Sequence, residues 1–189
     1  MTLCITHKRR YEADEMWDIY DWYLSRILPV CEEWNVRLAL HPDDPPGEEL
    51  GGIYRLFGSL EGHKRAMEVH NSPMHGLDFC YGTWSEMLGA DVMGAIRYFG
   101  HLEKIFYVHM RDVLGTFDDF HEVFLGDGNT CIFEAIRTLK ESGFKGHITN
   151  DHVPAMVGDT PWGHRSRAWA NGYIKAMIDA VNSVGDTAG

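Results

Sequence analysis

Four short apolar runs in this chain each end in a side chain able to hold a metal ion or move a proton. Residues 36–46, VRLALHPDDPP, break off at His41; GLDFCYG leads to Cys80; KIFYVHMRD carries His109; GHITNDH carries Asp151 and His152. Imidazole, thiolate and carboxylate together suit a divalent transition ion better than magnesium or calcium. The donors are far apart in sequence, unlike the paired spacings of structural zinc sites, so an open site in an enzyme is expected. Taken singly the same residues have plain explanations. His41 before a proline reads as a loop histidine, Cys80 as a small buried hydrophobe, His109 as a satisfied core histidine and Asp151 as a turn residue or helix cap. Only their joint placement carries the metal reading. By the same standard Asp43 and Asp44 read as a solvated turn, His70 and His75 as surface residues, and Trp17, Tyr20 and Tyr23 as helix packing.

The elements that must position these residues follow from hydrophobic period and turn chemistry. Residues 12–34 read as a helix, with apolar side chains recurring every three or four positions and Pro29 expected to kink or split it. Residues 36–40, 76–82, 104–110 and 146–150 read as strands. Ser59 is a candidate cap for a helix over 59–69, and Thr83 with Glu86 a candidate capping box for one running to Gly100. Helices are also predicted over 130–142 and 164–184. Residues 42–52 and 153–163 are loops rich in proline and glycine, and 114–129 reads as a long functional loop. The order is a helix, then four successive β-loop-α units. Such alternation implies a parallel sheet wrapped by helices, and with no GxGxxG motif after a strand a barrel is preferred to a dinucleotide-binding sheet. In a barrel the strand ends converge on one point above the axis. Strand parity also places Ala39 on the face of His41, Asp78 on that of Cys80, and Tyr107 and Arg111 on that of His109, so Arg111 is expected beside the metal, ready to bind a carboxylate.

Composition narrows the partners. The chain has 189 residues and a formal charge of −11, with basic residues scattered, which argues against nucleic acid and anionic membranes and for a small ligand. No apolar run approaches the roughly 18–20 residues that span a bilayer, and the opening MTLCITHKRR lacks the apolar stretch of a signal peptide, so a cytoplasmic protein is expected. Cys4, Cys31, Cys80 and Cys131 form no CxxC pair, which disfavours a disulfide framework.

The blocks LALHPDDPP, NSPMHGLDFCYGTWSEM, IFYVHMRDV and NDHVPAMVGD, followed by RSRAWANGYIKAMI, resemble in order those of the mannonate dehydratase family, over about residues 35–180. The resemblance implies a xylose-isomerase-like TIM barrel and a cytoplasmic hydro-lyase of hexuronate breakdown. Such an enzyme uses Mn²⁺, with Fe²⁺, Co²⁺ or Zn²⁺ as alternatives, to convert the sugar acid D-mannonate into 2-dehydro-3-deoxy-D-gluconate and water. It implies His41, Cys80, His109 and Asp151 as metal ligands and His152 as a catalytic acid/base candidate. Bidentate geometry favours arginine for neutralising the substrate carboxylate, which points to Arg111 or Arg55. The family is also associated with a tyrosine downstream of the Asp-His pair, where this chain offers Trp162, Trp169 and, further on, Tyr173.

Only four strands are legible, whereas the family resembles an eight-stranded barrel on a chain about twice as long. The chain is therefore expected to be a single domain forming the carboxyl-terminal half of a barrel over residues 12–184, with an arm at 1–11 and a flexible tail at 185–189. Its unpaired edges predict a homo-oligomer or a complementary half-barrel. Three functions stay open: a metal-dependent sugar-acid dehydratase, a sugar isomerase or epimerase on a related barrel, and a truncated metal-binding remnant without catalysis. Isomerase and epimerase sites usually favour two Glu with His and Asp, so Cys80 as a ligand argues against the second.

Overall fold

A computed structural model describes residues 5–185; Cys4 and all of the expected tail except Gly185 lie outside them. The chain enters through α1 (Ala13–Glu33), whose first turn carries Asp14 and Glu15, favourable against the helix dipole. This helix runs through Pro29 without a break, contrary to the sequence expectation. An interior proline costs about 3 kcal/mol, but Leu24, Leu28 and Cys31 are buried on either side of it, and each large apolar side chain returns about 1.5–3 kcal/mol on burial. Asn35, with φ of +51°, then turns the chain toward β1 (Leu38–Leu40).

The loop after β1 contains a hairpin of β2 (Glu49–Leu50) and β3 (Ile53–Tyr54). Its two-residue turn is Gly51 and Gly52, with φ of +63° and +88°, the combination that matches strand twist and favours glycine. Helix α2 (Leu60–Val69) starts at Ser59, whose hydroxyl accepts from the Gly62 amide as expected. Strand β4 (His75–Cys80) passes directly into α3 (Tyr81–Glu86), and α4 (Val92–His101) begins separately after Asp91, whose carboxylate accepts from the Gly94 amide. Thr83 and Glu86 are therefore buried inside α3 rather than capping one long helix. The long loop expected at 114–129 proves to be largely structured: β6 (Asp112–Thr116) and β7 (Asp119–Val123) pair antiparallel around a two-residue turn. Buried Asp112 anchors this hairpin, accepting from the amides of Val113, Gly126 and Gly128. The chain closes with β5 (Ile105–His109) before that hairpin, and α5 (Ile132–Glu141), β8 (His147–Thr149) and α6 (His164–Gly185) after it.

The main sheet has the order β1-β4-β5-β8, every pair parallel. Strands laid down in sequence order, with no reversal of direction, make an arc of a (β/α) barrel rather than a doubly wound sheet. Side chains alternate between the two faces. Leu77, Phe79 and Val108 point to the helices and join Trp84, Ile96, Phe99, Ile136 and Leu139 in the core, with Phe79 and Trp84 stacked at 4.9 Å. Asp78, Cys80, Tyr107 and His109 take the other face, where Cys80 is paired in register with His109.

Two histidines belong to the packing. His75, expected at the surface, is wholly buried and hydrogen-bonded through Nε2 to the Tyr20 hydroxyl at 2.8 Å. His63 is also wholly buried, its Nδ1 bonded to the Ser59 carbonyl and its ring against Trp84. Burial lowers both from 6.5 to about 4, for His75 with repulsion from Lys104 and His70 and for His63 despite the Ser59 bond. Both bind a proton more readily unfolded than folded. Their contribution to stability is therefore complete above pH 6.5 and is lost as the pH falls toward 4. At about 1.4 kcal/mol per pKa unit, His63 alone is worth on the order of 3 kcal/mol. Denaturant titrations should show stability falling across this window, with a shallower fall in His63→Phe; an unchanged slope would remove His63 as a source of acid lability.

Candidate metal centre

His41 follows β1, Cys80 and His109 end β4 and β5, and Asp151 lies two residues beyond β8. One ligand atom from each of the four comes within 4.8 Å of the others. The site lies at the carboxyl ends of four adjacent parallel strands, and the register of Cys80 against His109 sets its centre. His41 Nδ1 bonds to its neighbour's carbonyl, Pro42 O, at 2.7 Å. A carbonyl only accepts, so Nδ1 carries the proton and Nε2 is the nitrogen that faces the cluster. His109 lies between two carboxylates, with Nε2 at 3.3 Å from Asp78 Oδ2 and Nδ1 at 3.7 Å from Asp151 Oδ2.

The electrostatics are those of a cation site. Burial opposes ionisation of the Cys80 thiol, but hydrogen bonds from His109 and His41 and the nearby Arg111 charge outweigh it and bring the thiol to about 6. Burial likewise opposes charge on His41, yet its contact with Cys80 raises it to about 9. His109 is raised mainly by its bond to Cys80, with Asp78 and Asp151 adding to the effect against burial, while burial raises Asp78. The cluster thus draws protons onto both imidazoles, holding positive charge where a divalent ion would carry it. Asp78 Oδ1 and His109 Nδ1 are buried without hydrogen-bond partners; the first offers a lone pair to a cation, and the second would offer one on giving up its proton. The donor set therefore fits a transition metal.

Beside the four donors lies an ionic knot in which one arginine meets four carboxylates. Arg111 is 1% exposed, and its aliphatic stem packs on Gly82, where an added Cβ would lie 2.5 Å from Cγ. Its Nη2 donates to Asp44 Oδ2 at 2.7 Å and Thr83 Oγ1 at 2.9 Å, and its Nη1 to Glu122 Oε1 at 2.9 Å. Glu86 Oε1 is 2.8 Å from Nη2 but out of hydrogen-bond alignment, since both hydrogens of that nitrogen are committed elsewhere. Wholly buried and without a hydrogen bond, Glu86 is pushed up to about 7, burial exceeding the pull of Arg111. Asp151 Oδ2 stands 3.7 Å from Nε. Arg111 is thus beside the donors, as strand parity predicts, but its fork is occupied by the protein's own carboxylates.

Arg55 is also engaged, pairing with Asp43 at 3.0 Å and donating to the Asp44 carbonyl, so Asp43 and Asp44 form a structured turn and not a solvated one. His152 is 54% exposed and bonds Glu122 through Nδ1. Tyr173 lies elsewhere, on α6, its ring tilted at 32° to that of Trp169 and its hydroxyl against Gly126. Sequence reasoning missed Thr83, Glu86 and Glu122 as members of the site. For Glu122 a signal existed in the alternating DFHEV after a turn; for Thr83 and Glu86 the capping pattern pointed elsewhere.

A parallel arc of strands laid down in sequence order, with polar residues gathered at its carboxyl ends, is part of a (β/α) barrel. The xylose isomerase domain protein of Alicyclobacillus acidocaldarius superposes with a TM-score of 0.69 at 19% identity, over 92% of this chain and 62% of that one. The mannonate dehydratase of Streptococcus suis superposes with a TM-score of 0.88 at 24% identity, over 96% of this chain and 53% of that one. Residues 4–187 match the family model of D-mannonate dehydratase (UxuA), and the chain belongs to that family. Among curated relatives, the mannonate dehydratase of Geobacillus thermodenitrificans is 33% identical across 87% of this chain and 43% of its own length. That of Thermotoga petrophila is 29% identical across 93% of this chain and 50% of its own. The chain spans about half the length of the curated relatives it matches. Among the described residues no helix is long and apolar enough to cross a membrane.

The knot around Arg111 makes a stability test. Arg111→Met leaves several carboxylates facing one another in a buried space and should cost about 3–5 kcal/mol in chemical denaturation. Adding Glu86→Leu to that variant should recover part of the loss, by removing the buried carboxylate that has no hydrogen bond of its own.

Proposed function

We propose that the chain carries the metal-binding and acid/base part of a mannonate dehydratase, a cytoplasmic hydro-lyase of hexuronate breakdown. It would convert D-mannonate into 2-dehydro-3-deoxy-D-gluconate and water. The observation that supports this most is the convergence of His41, Cys80, His109 and Asp151 on one point, within a chain of that family. These four residues would hold one divalent ion, with Mn²⁺ as the leading candidate and Fe²⁺, Co²⁺ or Zn²⁺ as alternatives. A divalent ion there supplies Lewis-acid stabilisation of the charge that builds beside the substrate carboxylate as the neighbouring carbon-bound proton leaves.

The chain's own residues account for the rest. His152, next to Asp151 and half-exposed, is placed to exchange a proton with a bound sugar acid. Arg111, with its fork filled, keeps Asp44 and Glu122 in position. Arg55, less buried than Arg111 though paired with Asp43, is the remaining candidate to neutralise the substrate carboxylate. Completion of the barrel, by a second copy or by a complementary half, is part of the same proposal.

The test joins metal analysis to turnover. The chain should bind about one divalent ion, and Cys80→Ser should weaken that binding by about tenfold or more, on the scale seen when a metal centre loses an interaction. His152→Ala should keep the metal and lose about 10²–10⁴-fold in kcat, the range of a single acid/base group. Unchanged occupancy in Cys80→Ser removes Cys80 from the ligand set. A metal-loaded protein that leaves mannonate untouched, alone and as an assembly, sinks the dehydratase reading.

A further inference from the structure

The hairpin of β6 and β7 brings one carboxylate to the site, and that carboxylate touches the candidate acid/base group. Glu122 Oε1 lies 2.8 Å from His152 Nδ1 and 2.9 Å from Arg111 Nη1. A guanidinium can only donate, so Glu122 Oε1 already accepts and presents a lone pair, not a proton. Nδ1 of His152 must therefore be the donor in the bond between them. The opposite ring nitrogen, Nε2, faces the donor cluster at 3.6 Å from Asp151 Oδ2.

We propose that Glu122 is a positioning residue that orients His152 and fixes its proton on Nδ1, leaving Nε2 as the nitrogen that exchanges a proton with the substrate. This rests on the reading of His152 as the acid/base group. A proton moving to Nε2 breaks the substrate C–H bond and leaves the electron pair on carbon. The ring becomes an imidazolium whose new charge faces the Glu122 carboxylate, the arrangement in which a base is held by a third group. That pair forms the new double bond as the neighbouring C–O bond breaks, and transfer of the proton from Nε2 to the departing oxygen releases water and resets the ring without disturbing Nδ1–H.

Glu122 is well placed for the task because its hairpin is held at several points. Asp112 fixes the base of the hairpin. The Asn129 side chain grips both backbone groups of Gly115 and reaches the Ser85 carbonyl. The Phe117 amide donates to the Glu86 carbonyl, so the tip is tied to α3. Arg111 then fixes the carboxylate itself, and β5 supplies both His109 and, two residues on, Arg111. Orientation of His152 is thereby linked to the strand that ends in a candidate ligand.

The experiment reads the tautomer directly. The full chain, labelled with ¹⁵N-histidine and recorded in alkaline buffer so that a neutral ring is observed, gives separate shifts for the two ring nitrogens. The His152 pair is assigned by its loss in His152→Gln. Spectra are taken without metal and with Zn²⁺, which is diamagnetic. The expected result is an Nδ1–H form exceeding the Nε2–H form by about tenfold or more, the ratio a charge-assisted hydrogen bond sustains. In Glu122→Ala the balance should move toward Nε2–H, the form a solvated histidine favours. A parent spectrum dominated by Nε2–H overturns the proposal whether or not the variant folds, as does a Glu122→Ala spectrum identical to the parent. The two readings fail separately. Retained turnover in His152→Ala removes the catalytic role and leaves the Nδ1–H spectrum intact, whereas an Nε2–H spectrum removes Glu122 and leaves His152 free to act.

Discussion

One buried guanidinium sets the terms for everything around it. Arg111 meets Asp44 from the loop after β1, Glu86 from α3, Glu122 from β7 and Asp151 from the loop after β8, with Thr83 between them. Unit charges 3–4 Å apart attract by about 4–5 kcal/mol at the effective dielectric of a protein surface, while burying each ion costs several kcal/mol. No single pair here is clearly favourable. The arrangement holds because one cation is shared among several anions whose backbones are fixed elsewhere, by Asp112 in the hairpin and by the Gly82 contact in α3. What the knot contributes is placement: four segments remote in sequence are brought together at the ends of the strands.

The same concentration of charge explains why the donor set and the clamp are neighbours. Four carboxyl groups (Asp44, Glu86, Glu122 and Asp151) and one thiol gather around a single arginine, and a fifth carboxylate, Asp78, lies against His109. The Cys80 thiol and the neighbouring carboxylates draw protons onto His41 and His109, while burial pushes Glu86 toward neutrality. A divalent cation among the four donors would relieve that imbalance at the point where it is greatest. Arg111 alone cannot, because its fork is committed to Asp44, Glu122 and Thr83.

Much of this was legible in the sequence, and the divide has a physical basis. Apolar runs ending in His41, Cys80 and His109 announce parallel strands and their carboxyl ends, because burial on both faces leaves few polar positions before the loop. Ser59 announces a helix start because capping is a local interaction. Pro29 and the Thr83–Glu86 pattern misled, since tertiary burial of Leu28 and Thr83 outweighs a local preference. The β6–β7 hairpin was hidden by acid-rich turns that resemble a loop, and its anchor, Asp112, acts through backbone amides 14 and 16 residues away. The roles of Glu86, Glu122 and Asp44 depend on a partner, Arg111, that only the fold brings near. His75 could not be placed from sequence because its hydroxyl partner is 55 residues earlier.

The chain matches only about half the length of its relatives, yet all four candidate ligands lie at or just beyond the carboxyl ends of four adjacent strands, with the clamp around Arg111 beside them. Binding an ion and binding a sugar acid are thus separable demands on this fold. The first needs donor atoms within a few ångströms, and neighbouring strand ends provide them through register alone. The second needs walls around a molecule several times larger, and here the inner face beside the site is open, with Ala39 on β1 exposed. On the proposed function, substrate affinity should depend on whatever covers that face, whereas the arrangement of the four donors and the orientation of His152 are set within this chain by β5, α3 and the hairpin.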